Sequence, residues 1–166
     1  MVRERSIWLA DVINNREYRV GAEVGAAIGI TTFYVLSRCR NIITYIVADD
    51  WRPVPGSGIF EGKAMKERFL QRCSGFLSKI NILEGMSWEQ AQKVPDNSLD
   101  FCFIDASHDY QSVMKDLKAW KPKVKPGGML CGHDVHWDGV KKALEDFGID
   151  YELAGVDNVW YYLVKK

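Results

Sequence analysis

Val20-Gly-Ala-Glu-Val-Gly-Ala-Ala-Ile-Gly-Ile-Thr-Thr32 is the stretch from which the fold is read. It begins as a buried-type strand, breaks at Gly25 and Gly29, and runs into an apolar helical stretch ending near Cys39. A strand, a glycine turn and a helix start let backbone approach a small ligand closely. The spacing is Glu23-x-Gly25-x-x-x-Gly29. The dinucleotide fingerprint would need glycines at positions 27 and 30, which hold Ala27 and Ile30. A P-loop would end in Gly-Lys-Ser/Thr, which is missing. The loop therefore suits a nucleoside-like ligand and argues against both NAD and a nucleoside triphosphate, leaving an α/β oxidoreductase a remote alternative.

Outward from this stretch, apolar strands alternate with helical patterns. Strand one is read as Arg19–Val24 and helix A as about Thr31–Cys39. Ile42–Ala48 and Ile80–Glu84 read as strands two and three, with a helix B of about Gly62–Gly75 between them. A short helix C follows at Ser87–Lys93, where Ser87 and Gln90 have capping-box spacing. Leu99–Asp105 and Met129–Gly132 read as strands four and five, flanked by helices at Tyr110–Trp120 and Trp137–Phe147. Near-continuous apolar strands between helices predict a parallel sheet covered on both faces. Asp157-Asn158 is a two-residue turn signal between Tyr151–Val156 and Val159–Val164, which predicts an antiparallel hairpin at the end. In front, residues 5–15 read as an amphipathic helix with Ile7, Trp8, Val12 and Leu9 on its apolar face.

With 166 residues, 47% of them apolar and 27% charged, the chain is long enough for one domain spanning 1–166 around a real core. Twenty-two basic residues balance 22 acidic ones, so no polycationic field exists to hold nucleic acid or an anionic membrane. No apolar run reaches membrane-spanning length and no signal core follows the first residues, so a cytoplasmic location is expected. Cys39, Cys73, Cys102 and Cys131 are widely spaced without Cys-x-x-Cys, which suits reduced core thiols. Trp120, Phe147, Trp160 and Tyr161 are expected in the packing, and Trp51 and Trp137 on loops at the rim of a binding site.

In an open α/β sheet, ligands sit beyond the carboxyl ends of the strands. Those ends carry Glu23 with the glycine loop, Asp49-Asp50, Glu84-Gly85-Met86-Ser87, Asp105-Ala-Ser-His108-Asp109, and Gly132-His133-Asp134-Val-His136. Every strand thus delivers polar side chains to one rim.

In this order and spacing the chain resembles the class I S-adenosylmethionine-dependent methyltransferases, from about Arg19 to Val164. The motifs that carry the resemblance are Glu23–Gly29, Ile46–Trp51, Ser98–His108, Lys125-Pro-Gly-Gly128 and Gly132-His-Asp134. The resemblance implies a Rossmann-like, doubly wound sheet of seven strands, mostly parallel, with the last strand antiparallel. It implies S-adenosylmethionine as cofactor, with Gly25 and Gly29 against its methionine and ribose and Glu23 towards the amino group. Asp49 would take the ribose hydroxyls, with Asp50 as the exchangeable neighbour, and Met86 and Ser87 would border the adenine.

Asp105-x-x-His108 followed by His133-Asp134 is similar to the metal-assisted O-methyltransferases. That likeness implies Asp105 and Asp134 as ligands of a divalent metal, Mg²⁺ or similar, and His108 as the catalytic base beside Asp105. Here the pattern departs. Val135 stands where an Asn is expected after the Asp, or His133 where an acid is expected before it, so one oxygen ligand is missing and His133 or His136 is the candidate replacement, which would favour a softer metal than Mg²⁺. The expected partner is a small molecule bearing a hydroxyl, and a homodimer is the expected assembly. The competing expectation is a non-catalytic, cofactor- or partner-binding module of the same fold. Acceptor specificity is assigned to Trp51–Phe60, His136–Gly139 and the N-terminal helix.

Overall fold

The computed structural model describes residues 3–52 and 62–165. One seven-stranded sheet runs through it in the order β3-β2-β1-β4-β5-β7-β6. Its strands are β1 (Val20–Val24), β2 (Thr44–Asp49), β3 (Ile80–Glu84), β4 (Leu99–Ile104), β5 (Val124–Gly132), β6 (Glu152–Leu153) and β7 (Trp160–Leu163). The first five are parallel, and β7 is antiparallel to both β5 and β6. The mostly parallel sheet with an antiparallel end expected from the sequence is what forms.

Side-chain alternation along the strands divides the core into two layers. Tyr45 and Val47 of β2, with Phe101 and Phe103 of β4, pack under α1 (Glu4–Asn15), α2 (Ile30–Arg38) and α3 (Gly62–Arg72). Ile46 and Ala48, with Cys102 and Ile104, pack under α5 (Tyr110–Trp120) and α6 (Asp138–Phe147). The short α4 (Ser87–Gln90) leads into a 3₁₀ turn at Ala91–Lys93, whose Ala91 joins the second layer. All four cysteines are buried and unpaired, and Trp120 and Trp160 are fully buried.

Several boundaries differ from expectation. On α1 the buried residues are Arg5, Ser6, Leu9, Ala10 and Ile13, while Ile7 is 41% exposed, so the inner face is rotated from the one the apolar residues suggest. A helix face was assigned by hydropathy, and a buried arginine broke that pattern. Helix B stops at Arg72 and continues as a 3₁₀ segment, Ser74–Lys79. Strand β5 starts five residues early, because Lys125–Gly128 form a bulge opposite Leu99–Phe101 rather than a plain turn. The hairpin lacks a two-residue turn. Its ladder pairs only Glu152–Leu153 with Trp160–Tyr161, which leaves residues 154–159 as the loop. Asp157 and Asn158 do take the positive φ values that turn residues tolerate. Ser87 does not cap α4: Met86 holds the N-cap position and makes no side-chain cap hydrogen bond.

Candidate active site

Strand order reverses between β1 and β4. The chain leaves β1 towards α2 on one face and β4 towards α5 on the other, which opens a crevice at their carboxyl ends. Gly25 forms its floor. Its N–H donates to the Ala48 carbonyl, its φ is +86°, and a Cβ there would lie 2.3 Å from the Asp105 carbonyl oxygen. Only glycine fits such a backbone. Gly29 also needs its left-handed φ of +75° to start α2, but its missing Cβ faces Phe69 and Cys73 of the α3 region. Its neighbours Ile28 and Ile30 line the second cleft described below, while Gly29 itself packs towards α3.

Two clefts meet over Gly25. The first, about 250 Å³, is bounded by Asp49, Asp50, Met86, Ser87, Trp88 and Asp105. The second, about 240 Å³, is bounded by Arg3, Arg5, Glu23, Thr31, His108 and Asp134. Both share Gly25, Ala27, Asp105 and Ala106, so they form one trough. The structure thus brings together Glu23, Gly25, Asp49, Met86, Ser87, Asp105, His108 and Asp134 from five strand ends.

Asp49 is committed to the loop itself. Its Oδ2 accepts hydrogen bonds from Ala26 N and Ala27 N at 2.8 Å each, and its Oδ1 accepts one from Trp51 N at 2.7 Å. Burial raises its pKa, and these three N–H donors oppose the rise. Asp50 stands beside it on the cleft and pairs with the exposed Arg52 at 2.6 Å. Of the two places open to Trp51, lining an acceptor pocket or covering the core edge, it takes the second: it is 4% exposed, packs on Phe69 and donates its indole N–H to the Ala27 carbonyl. Most of the Trp51–Phe60 specificity stretch lies outside the described residues.

Glu23 is almost fully buried and accepts from the Thr32 hydroxyl at 2.6 Å and the Tyr45 hydroxyl at 3.0 Å. Burial pushes its pKa up to about 7 against those two donors. Thr32 and Tyr45 thus orient the carboxyl under the glycine loop.

At the other end of the trough a charge network forms. His108 Nε2 lies 2.7 Å from Asp134 Oδ2, and the His108 ring stacks on Trp137 at 5.4 Å and 15°. The Asp134 hydrogen bond raises the His108 pKa above its ordinary value. Burial disfavours the Asp134 charge, yet His108 and His133 together hold that carboxyl well below the usual range. His133 is buried behind Asp134. Its Nδ1 is 2.9 Å from Asp134 Oδ2, off the line of a directed hydrogen bond, and its Nε2 is 3.4 Å from Asp157 Oδ1. Arg5 reaches in from α1, with Nε 3.1 Å from Asp105 Oδ2 and Nη1 3.1 Å from Asp157 Oδ2 and 3.3 Å from His133 Nε2. Burial raises the Asp105 pKa, and Arg5 then His133 oppose it.

Among the described residues, Asp105, His108 and Asp134 are the group whose donor atoms, all within 4.8 Å of one another, suit a metal ion. His133 and His136, the candidate replacement ligands, are not part of it; His108, expected as a base, is. The His133 ring lies between the two sets of charges, its Nδ1 3.7 Å from Asp105 Oδ1 and its Nε2 towards Arg5 and Asp157.

A family model described as a methyltransferase domain matches residues 22–135. The chain belongs to the methyltransferase-domain family. The match spans the strand-end motifs from Glu23 to Asp134, so the methyltransferase reading of those motifs is borne out. A curated relative, uncharacterized protein y4gI of Sinorhizobium fredii, is 24% identical over 132 residues, 78% of this chain. The chain spans only 14% of that relative's length. Among solved structures, the S-adenosylhomocysteine-bound methyltransferase PaMTH1 of Podospora anserina superimposes with a TM-score of 0.74 at 14% identity, over 98% of this chain and 78% of the other. The O-methyltransferase TomG of Streptomyces achromogenes, in complex with SAM, gives 0.67 at 14%, over 98% and 80%. These likenesses show that the methyltransferase domain shares their fold. Sequence reasoning missed three of its site residues. Arg5 was hidden in a helix read by its apolar residues, Asp157 in a turn signal, and Asp116 of α5 in an ordinary amphipathic pattern. No helix of the described residues is long and apolar enough to cross a membrane.

Proposed function

We propose that this chain transfers a methyl group from S-adenosylmethionine to the hydroxyl oxygen of a small molecule. The observation that carries the reading is the single trough over Gly25, with a carboxylate-edged end at Asp49 and Asp50 and a His108–Asp134 pair at the other. In this reading adenosine lies in the first cleft against Met86 and Ser87. Asp50 accepts from the ribose hydroxyls while Asp49 holds the loop that shapes their site. The methionyl portion crosses Gly25 towards Glu23 and Asp105. Acidic groups around a cationic sulfonium stabilise it electrostatically, and none of the contacts requires a phosphate.

The acceptor oxygen attacks the methyl carbon, the O–CH₃ bond forms as the S–CH₃ bond breaks, and S-adenosylhomocysteine leaves. Asp134 accepts a hydrogen bond from His108 Nε2–H, which leaves the Nδ1 lone pair to take the acceptor's proton. Placing two reactants in line supplies much of the rate in such a transfer. Asp105, His108 and Asp134 also fit a divalent cation, their donors converging from two adjacent strand ends with mixed oxygen and nitrogen chemistry. Bound there, such an ion would acidify the acceptor hydroxyl. His108 cannot lend one lone pair to both roles. Turnover that survives a chelator assigns it to the base, whereas Mn²⁺ binding lost in His108→Ala, read by calorimetry, assigns it to the metal.

Calorimetry with S-adenosylhomocysteine tests the cofactor half of the reading. Binding with saturable heat supports it, and silence at millimolar ligand removes it.

A further inference from the structure

The mechanism above leaves one buried acid in the cofactor cleft unused. Asp116 lies on the inner face of α5 between Val113, Leu117 and Trp120, is 1% exposed, and contributes to the wall of the first cleft. The Ser87 hydroxyl, at the start of α4, donates a hydrogen bond to its Oδ1. Among the described residues this is the one hydrogen bond drawn to the Asp116 side chain, and Ser87 makes no helix-capping bond that would otherwise explain it. Burying a carboxyl on an apolar helix face is costly, and a single hydroxyl partner offsets little of that cost. A packing role alone would be served better by an apolar residue.

We infer that Asp116 is a positioning residue of this cleft: its carboxylate accepts a hydrogen bond from the Ser87 hydroxyl, presents Ser87 to the cleft as a hydrogen-bond acceptor, and so selects a purine bearing an exocyclic amino group. A serine hydroxyl has one proton and two lone pairs, and rotates to suit its surroundings. An ionised carboxylate only accepts. Facing one, Ser87 commits its proton inward and has only lone pairs left for the cleft. Adenine answers with an N6–H donor. The inference rests on the proposed cofactor and specifies how its base is read.

Burial raises the Asp116 carboxyl to about 7, with Asp109 adding to the rise and Ser87 opposing it. Above that value the device is set as described. Below it the acid carries its own proton, donates to Ser87, and frees the Ser87 hydroxyl to point its proton at the ligand, where it meets another donor. The groups around Asp116 are Ser87 from α4, Asp109 from the start of α5, and Lys115, which sits over the Trp88 ring at 4.6 Å. Asp49, Asp50 and Asp105 line the same cleft. In the proposed pose those three face parts of the ligand that are identical in the two compounds compared below, so they do not distinguish them.

The experiment measures two affinities by calorimetry, for S-adenosylhomocysteine and for its analogue lacking the 6-amino group. At about pH 8.5 the wild-type chain should favour the amino-bearing ligand roughly tenfold. At about pH 5.5 the preference should shrink towards unity. Asp116→Asn, isosteric and unable to titrate, should show the same ratio at both pH values, and Ser87→Ala should bind the two ligands alike. A wild-type ratio that does not change with pH, or a preference that survives in Ser87→Ala, overturns the inference. Failure of the wild-type chain to bind either ligand instead overturns the cofactor assignment beneath it.

Discussion

Asp49 and Asp50 are neighbours with different work. Three backbone N–H groups converge on Asp49. Removing them from their acceptor in Asp49→Ala should cost about 2 kcal/mol or more of stability and weaken S-adenosylhomocysteine at least tenfold. Asp50→Ala should weaken the ligand by a similar factor while the urea midpoint stays put. Equal stability losses in the two variants would reject this division of labour. For His108→Ala, turnover should fall by about 10²–10⁴-fold while cofactor affinity remains. An equally active variant would reject the base. Glu23 carries a pH prediction. Its folded pKa, about 7, lies above the ordinary carboxylate value, so the folded chain binds a proton that the unfolded chain releases between those values. Stability should therefore fall as pH rises from about 4.5 to about 7, by up to about 3 kcal/mol, and then level off. Glu23→Gln should remove most of that slope in denaturation curves taken across the range; an unchanged slope would move its origin elsewhere.

At the scale of elements, the sequence was most legible where periodicity and position agreed. Ile80–Glu84 and Tyr110–Trp120 form as read, the latter because Asp109 caps it by accepting from Ser112 N. Legibility failed where tertiary contacts override local pattern. Hydropathy places Ile7 inward with Trp8, Val12 and Leu9; Trp8, Val12 and Leu9 do pack against the core, but Ile7 is exposed and Arg5, paired with Asp105 and Asp157, is buried instead. No local signal in the sequence couples residue 5 to residue 157. The surroundings of the glycines differed too: both have positive φ, but Gly25 lies against Asp105 and lines the cleft, whereas the missing Cβ of Gly29 faces Phe69 and Cys73. Arg5→Leu would leave two carboxylates without their buried cation. It should destabilise the chain by about 3 kcal/mol in urea denaturation, and a change within error would demote α1 to a passive cover.

For the whole molecule, the decisive property is topological. Placing β1 beside β4 in a parallel sheet gathers residues from 23 to 134 at one rim, although they are scattered along the chain. That gathering was foreseeable, because alternating strands and helices with acids at successive strand ends allow few other arrangements. The identity of the methyl acceptor was not foreseeable, since no local pattern says how α1 meets the His108 end of the trough. The most direct test of the account is an amide chemical-shift titration of the ¹⁵N-labelled chain with S-adenosylhomocysteine. The account predicts saturable shifts confined to the rim, centred on Gly25, Ala27, Asp50, Gly85 and Ser87. Shifts scattered over other surfaces, or none at millimolar ligand, would contradict it.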